Sequence, residues 1–148
     1  ARNILGLKDA NSTEMNKNTS NPVIDIMEEQ KEVTEKGGTM RLGSYDCSIS
    51  IESKAYNSYK NTNISERHRH RFEFNNKYKA DFKKSGLLAT GINTKNNLVE
   101  IVEIPTHPWF VGVQFHPEYK STVANPHPLF IGFINACIQT KKQTDETK

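Results

Sequence analysis

The segment Trp109-Phe110-Val111-Gly112-Val113-Gln114-Phe115 is almost continuously apolar and gives way at once to His116-Pro117-Glu118. A run of this length and character fits a strand buried on both faces, as in a sheet covered by helices on both sides. A second pattern follows it. Across residues 128–138, Leu129, Phe130, Phe133, Ile134 and Cys137 fall on one helical stripe that faces the core, with Pro128 in the first turn. A buried strand feeding an amphipathic helix points to an α/β fold around a central sheet.

Further elements are legible upstream. Residues 87–92 and 98–104 are strand candidates, and residues 22–27 form a shorter one. Residues 39–43 and 47–51 alternate polar and apolar positions, as the two arms of a solvent-facing hairpin would. Residues 53–60 fit a short helix carrying Ala55, Tyr56 and Tyr59. Residues 75–85 fit another, with Tyr78 and Phe82 four apart and Gly86 ending it. Residues 8–21 read as a polar loop, 28–36 as a charged surface loop, and 139–148 as a frayed polar tail.

Composition narrows the function classes. The 148 residues are 34% hydrophobic, enough for one domain and one core but not for two. No run of eighteen apolar residues occurs, so no membrane-spanning helix is expected. Net charge is +3, from 20 Lys and Arg against 17 Asp and Glu, which is too balanced for a dedicated nucleic-acid binder. The two cysteines form neither a CxxC motif nor a disulfide framework, and a reducing, intracellular setting is the simpler expectation. The Asn-x-Ser/Thr sequons at Asn11, Asn18 and Asn63 are what an Asn-rich chain produces by chance.

Two clusters could carry chemistry. In Gln114-Phe115-His116-Pro117-Glu118, an extended backbone would place His116 and Glu118 on one side, at the carboxyl end of a strand where α/β folds collect ligands. A carboxylate beside an imidazole fixes its tautomer and stabilises the imidazolium, as a general base needs. The alternative is a surface histidine with Glu118 opening a turn. In Glu66-Arg67-His68-Arg69-His70-Arg71-Phe72-Glu73, strand periodicity lines Arg67, Arg69 and Arg71 on one face and His68, His70 and Phe72 on the other. Three guanidiniums would hold carboxylates or phosphates through bidentate pairs; a solvated edge strand explains the same residues. No third ligand supports zinc at His68 and His70. The turn at residues 36–43 lacks the Gly-Lys-Ser/Thr of a P-loop. Trp109 reads as core, and Cys47 and Cys137 as structural, since neither sits on a strand–turn–helix elbow.

Taken in order, the blocks Leu7-Lys8-Asp9-Ala10-Asn11-Ser12-Thr13-Glu14, Gly37-Gly38-Thr39-Met40-Arg41-Leu42-Gly43, the Arg-His-Arg-His-Arg run, Val99-Glu100-Ile101-Val102-Glu103, His107 to Glu118 and His127-Pro128-Leu129-Phe130 form a larger pattern. In it the chain resembles the glutaminase part of the CTP synthase family, a branch of the class I glutamine amidotransferases. The Phe-His-Pro-Glu ending is shared by the whole class. The Arg-His run and the Gly-Gly-Thr-Met-Arg-Leu-Gly turn mark the CTP synthase branch.

The resemblance implies a C-terminal portion, residues 1–138, of a flavodoxin-like domain with a mostly parallel central sheet flanked by helices, and a polar tail at 139–148. It implies that His116 and Glu118 are the second and third members of a Cys-His-Glu triad. Glu14 would hold the α-amino group of L-glutamine and Arg71 its α-carboxylate. No metal or cofactor site is expected in these residues. ATP and Mg2+ would belong to the amidoligase domain of the same polypeptide, GTP would be an effector, and residues 28–36 fall where the family has a GTP-linked lid. The parent would be a cytoplasmic homotetramer that uses glutamine-derived ammonia to convert UTP to CTP. The family's Gly-x-Cys-x-Gly elbow has no counterpart here, so residues 1–148 alone are expected neither to hydrolyse glutamine nor to make CTP. The rival readings are another class I amidotransferase or γ-glutamyl hydrolase, and a non-enzymatic basic binding module.

Overall fold

The alternation upstream of residue 50 is carried by one uninterrupted strand in the computed structural model, which describes residues 1–26 and 40–146. This strand, β3 (Arg41–Ile49), turns Arg41, Cys47 and Ile49 inward and leaves Leu42, Ser44 and Asp46 exposed. Gly43 takes φ +101° within it, a conformation that glycine adopts without strain, and the pairing runs on through that point. The partner is β4 (Asn63–His70), antiparallel from Arg41↔His70 to Ser48↔Asn63. The hairpin expected within residues 39–51 is therefore absent. The chain reaches β4 through a helix rather than a tight turn.

Five strands make the main sheet, in the order β4-β3-β6-β7-β8, with β6 at Leu88–Asn93, β7 at Leu98–Glu103 and β8 at Val111–Val113. Every pairing in it is antiparallel, which corrects the expectation of a mostly parallel central sheet. The cause lies in the connections. Residues 94–97 and 104–110 are too few for a parallel crossover, which takes about a dozen residues or more. Among the described residues, the one parallel pair joins β1 (Asn11–Ser12) to β2 (Pro22–Asp25), in a small sheet completed by β5 (Glu73–Phe74).

Burial reverses another expectation. The strand covered on both faces is β7, where Leu98, Val99, Glu100, Ile101 and Glu103 are all buried. The apolar run at 109–115 yields only three strand residues, half-buried, at the edge of the sheet. Its largest contribution to the core is Phe115, beyond the strand. Phe115 packs with Cys47, Ile49, Ala55, Ile101 and Leu129, against which Tyr56, Tyr59 and Trp109 also lie.

Among the described residues, three helices flank the sheets. Helix α1 (Lys54–Tyr59) is capped twice. Ser53 accepts from Tyr56 N–H, and the carboxylate of Glu103, reaching over from β7, accepts from Lys54 N–H at 2.8 Å and Ala55 N–H at 3.0 Å. Thr90 donates to the same carboxylate. Helix α2 (Lys79–Lys84) follows a 3₁₀ turn capped by Asn75 and buries Phe82. Helix α3 (Pro128–Glu146) absorbs most of the segment read as a frayed tail. It docks closely at Gly132, where a Cβ would fall 2.4 Å from the Trp109 ring and 2.6 Å from Ser58 Oγ. Of its apolar stripe only Leu129 is buried. Phe130, Phe133, Ile134 and Cys137 are exposed, against the expectation that they face the core, and Ile138 is exposed as well. The contact with α1 and Trp109 covers the opposite, small-residue side at Gly132. No helix among the described residues is long and apolar enough to cross a membrane.

Replacing Glu103 by Leu strands three donors, two of them buried, and removes the remote cap of α1. The expected loss is about 3 kcal/mol in urea denaturation, with Glu103→Gln losing clearly less because one carbonyl oxygen survives. The two thiols give a simpler check. Burial pushes the Cys47 thiol up to about 12, whereas Cys137 is exposed, so a thiol-specific chromogenic reagent at pH 8 should titrate Cys137 in the native state and Cys47 only after denaturation.

Candidate active site

His116 is held from both directions along the chain. Upstream, Gln114 donates through Nε2 to Glu73 Oε2 and to the Val99 carbonyl, both at 2.7 Å, and accepts from Phe74 N–H at 3.2 Å. The backbone N–H of His116 itself donates to the Arg67 carbonyl on β4 at 2.9 Å. Downstream, Pro117 opens a 3₁₀ turn, Pro117–Lys120. The extended backbone expected through Glu118 therefore does not persist. The turn brings the pair together instead, with His116 Nδ1 2.6 Å from Glu118 Oε1.

The geometry defines the chemistry of the ring. A carboxylate can only accept, so Nδ1–H donates, and in the neutral ring the lone pair falls on Nε2. Glu118 is held below the usual carboxylate range by its own backbone N–H first and by His116 second, so it stays ionised to perform this role. Tyr119 stacks on the imidazole, ring centroids 4.9 Å apart at 24°. The imidazole remains about one-third exposed, open enough for a reactant.

Behind this pair lies a buried ionic cluster. Arg41 donates to Glu100 Oε1 at 2.7 Å and reaches Glu73 at 3.4 Å, and its guanidinium lies 4.3 Å from the centre of the Tyr45 ring. His70 Nδ1 donates to the Phe72 carbonyl, so its Nε2 accepts from His68 Nδ1–H at 2.8 Å. Both imidazoles are thus committed as neutral rings. Burial, reinforced by the Arg41 charge, lowers His68 to about 3 and His70 to about 4. Glu73 is pushed up to about 7 by burial against the opposing pull of Arg41.

The structure therefore divides the Arg-His-Arg-His-Arg run. His68 is buried in this network, whereas Arg67 and Arg69 lie exposed on β4, an edge strand. Arg71 falls beyond the strand end, half-buried, in the link to β5. Glu14 stands exposed in the turn after β1, its N–H bonded to Ser12 Oγ. Their segments leave opposite sides of the small sheet, where β1 and β5 flank β2. Neither thiol is joined to an imidazole by a hydrogen bond among the described residues. The charged loop 28–36 and Gly37 to Thr39 lie outside the described residues.

Sequence reasoning missed Arg41, Glu73, Glu100 and Gln114 as supports of the site. The available signal was charge at inward-facing strand positions, above all Glu100 within the apolar Leu98–Glu103 strand.

The cluster sets an acid limit. His68 and His70, lowered from 6.5, make the folded state bind fewer protons than the unfolded chain, so their contribution is lost as pH falls from 6.5 toward 4. Glu73, raised from 4.5, contributes in the opposite sense and is lost as pH rises toward 7. Burial raises Glu100 as well, so two carboxylates oppose the two imidazoles, whose own contribution to stability in urea is an upward slope between pH 4.5 and 6.5. His68→Gln should flatten that slope; an unchanged slope would show that the imidazoles do not control it.

The geometry has close relatives. The glutamine amidotransferase class-I family matches residues 10–136. The CTP synthase of Cytophaga hutchinsonii is 65% identical over 136 residues, 92% of this chain and 25% of that protein. The CTP synthase of Bacteroides fragilis is 59% identical over 138 residues, 93% of this chain and 26% of that protein. The chain thus spans about a quarter of the length of these curated relatives. Among solved structures, the glutaminase domain of Trypanosoma brucei CTPS with bound acivicin superposes with a TM-score of 0.84 at 37% identity, over 93% of this chain and 54% of that one. A putative GMP synthase protein from Thermoplasma acidophilum, 17% identical with a TM-score of 0.54 over 72% of this chain and 48% of that one, shares the fold. With an α/β class I architecture and a His–Glu pair at the end of its last strand, the chain belongs to the class I glutamine amidotransferases, as part of the glutaminase domain of CTP synthase.

Proposed function

We propose that residues 1–138 supply the base and the glutamine-binding side of a glutaminase site that feeds ammonia to CTP synthesis. The observation that carries this reading is the 2.6 Å bond from His116 Nδ1 to Glu118, which leaves Nε2 as the free base. In the reaction, His116 Nε2 takes the proton of a cysteine thiol, and the thiolate attacks the side-chain amide carbon of L-glutamine. The imidazolium then returns the proton to the departing nitrogen, ammonia leaves, and a glutamyl thioester remains. His116 next activates water to release glutamate, while Glu118 steadies the positive ring in both steps.

Cys47 is buried and raised to about 12, so the nucleophile is assigned to sequence outside residues 1–148. That sequence would also supply the parallel, flavodoxin-like part of the domain; the solved glutaminase domain is about twice as long as the stretch this chain covers. Glu14 would bind the α-amino group of glutamine and Arg71 its α-carboxylate, through a bidentate pair. The described residues hold no cluster of three or more His, Cys, Asp or Glu that could bind a metal ion. By family likeness, ATP and Mg2+ would belong to the amidoligase domain, where the ammonia would aminate UTP. GTP activation through residues 28–36, a homotetrameric parent and a cytoplasmic setting complete the reading by family likeness.

The test uses the CTP synthase polypeptide that carries these residues. His116→Ala should cut glutamine-dependent CTP formation by about 1,000-fold or more and leave ammonia-dependent formation within about twofold. Loss of both activities together would mean a collapsed domain, and loss of neither would remove His116 from the mechanism. Absence of any ammonia-dependent CTP formation by the unsubstituted protein would favour a different class I glutaminase. Arg71→Ala should raise KM for glutamine about 10- to 100-fold with kcat largely kept, as expected for an interaction made equally in ground and transition states.

A further inference from the structure

One buried carboxylate gathers the segments around the His–Glu turn. Glu66, on β4, is 3% exposed. Its Oε1 accepts from the Tyr59 hydroxyl at 3.0 Å and from His127 Nε2–H at 3.1 Å; His127 Nδ1 accepts from Leu129 N–H, which fixes this tautomer. Its Oε2 lies 3.6 Å from Lys120 Nζ, and the same ammonium donates to the Ser65 carbonyl. Lys120 is the last residue of the 3₁₀ turn that carries Glu118. The other end of that turn is fixed by His116 N–H on the Arg67 carbonyl.

Both ends of the turn are therefore fastened to three successive residues of β4, namely Ser65, Glu66 and Arg67. The His116 end is tied by backbone, which side-chain substitution leaves in place. The Lys120 end is tied to β4 by its ammonium, and the next residue, Ser121, accepts from His127 N–H at 3.1 Å. With that tie cut, the turn loses its direct fastening to β4 at the Lys120 end, and Glu118 can shift against His116 within the slack left by Ser121. A catalytic pair displaced by about 1 Å can lose some 100-fold in rate.

We propose that Glu66 and Lys120 are positioning residues, which hold the Pro117–Lys120 turn on β4 so that Glu118 stays aligned with His116. They touch neither substrate nor the reacting atoms. This inference rests on the glutaminase reading above and adds to it the device that sets the geometry of the pair. Among the described residues, Lys120 is the ammonium or guanidinium paired with Glu66: Tyr59 and His127 donate to Oε1, and Lys120 faces Oε2.

The experiment again uses the complete CTP synthase polypeptide. Lys120 is 41% exposed in its side chain, so Lys120→Met should fold. Its kcat for glutamine-dependent CTP formation should fall about 10- to 100-fold, with KM for glutamine and ammonia-dependent activity each within about twofold. Lys120→Arg, which keeps the cation, should recover most of kcat. Glu66→Gln keeps an oxygen for Tyr59 and His127 but removes the charge facing Lys120; it should show the same loss confined to kcat. The double variant should be no worse than either single one, because both cut one tie. An unchanged kcat in Lys120→Met, no recovery with Lys120→Arg, or losses that multiply in the double variant would overturn the proposal. So would a parallel fall in ammonia-dependent activity. If His116→Ala abolishes glutamine use while Lys120→Met does not, the positioning role fails and the glutaminase reading stands. If His116→Ala keeps glutamine use, the glutaminase reading itself fails.

Discussion

Arg41 is the group on which the arrangement depends. It stands on β3 of the main sheet, bonds Glu100 on β7 of the same sheet, and reaches Glu73 on β5 of the small sheet. All three side chains are at most 5% exposed. Charges so deeply buried survive only when paired, and removing one partner leaves the others uncompensated. The cluster ties the two sheets together, and through Glu73 and Gln114 it also fixes the approach to His116. Interior electrostatics and the location of the site are thus parts of one network.

Much of this order could be read in the chain. The helix at 53–60, the strands at 87–92 and 98–104, the terminating glycine at 86 and the separation of His68 from the flanking arginines all follow from local pattern and capping chemistry. The direction of strand pairing was not legible, because an apolar run does not report its partners. Residues 109–115 look like a central strand, yet Phe115 owes its burial to packing past the strand end rather than to neighbours on either side. The stripe on α3 misleads for a related reason. Periodicity says which side chains share a face, and Gly132, which periodicity ignores, decides which side of the helix meets Trp109.

The candidate site was legible at its His–Glu pair and opaque behind it. His116 and Glu118 stand two apart and do meet, but through a 3₁₀ turn rather than the extended backbone that their spacing suggests. The supports are distant in sequence. Arg41 and Glu100, or Glu66 and His127, meet only once β3, β4 and β7 have aligned. Nothing local distinguishes the glutamate at position 100 from the exposed glutamate at position 52 except its place in an apolar strand.

The remote cap on α1 bears on the order in which the chain can fold. Six residues are far below the dozen or so at which an isolated helix becomes even marginal in water. Two of the first N–H groups of α1 are satisfied by a glutamate almost fifty positions later in the chain. The helix that joins β3 to β4 therefore cannot be an early local nucleus. It must wait for the β6–β7 hairpin to place Glu103 beneath it, which makes a short helix one of the late, long-range events of folding.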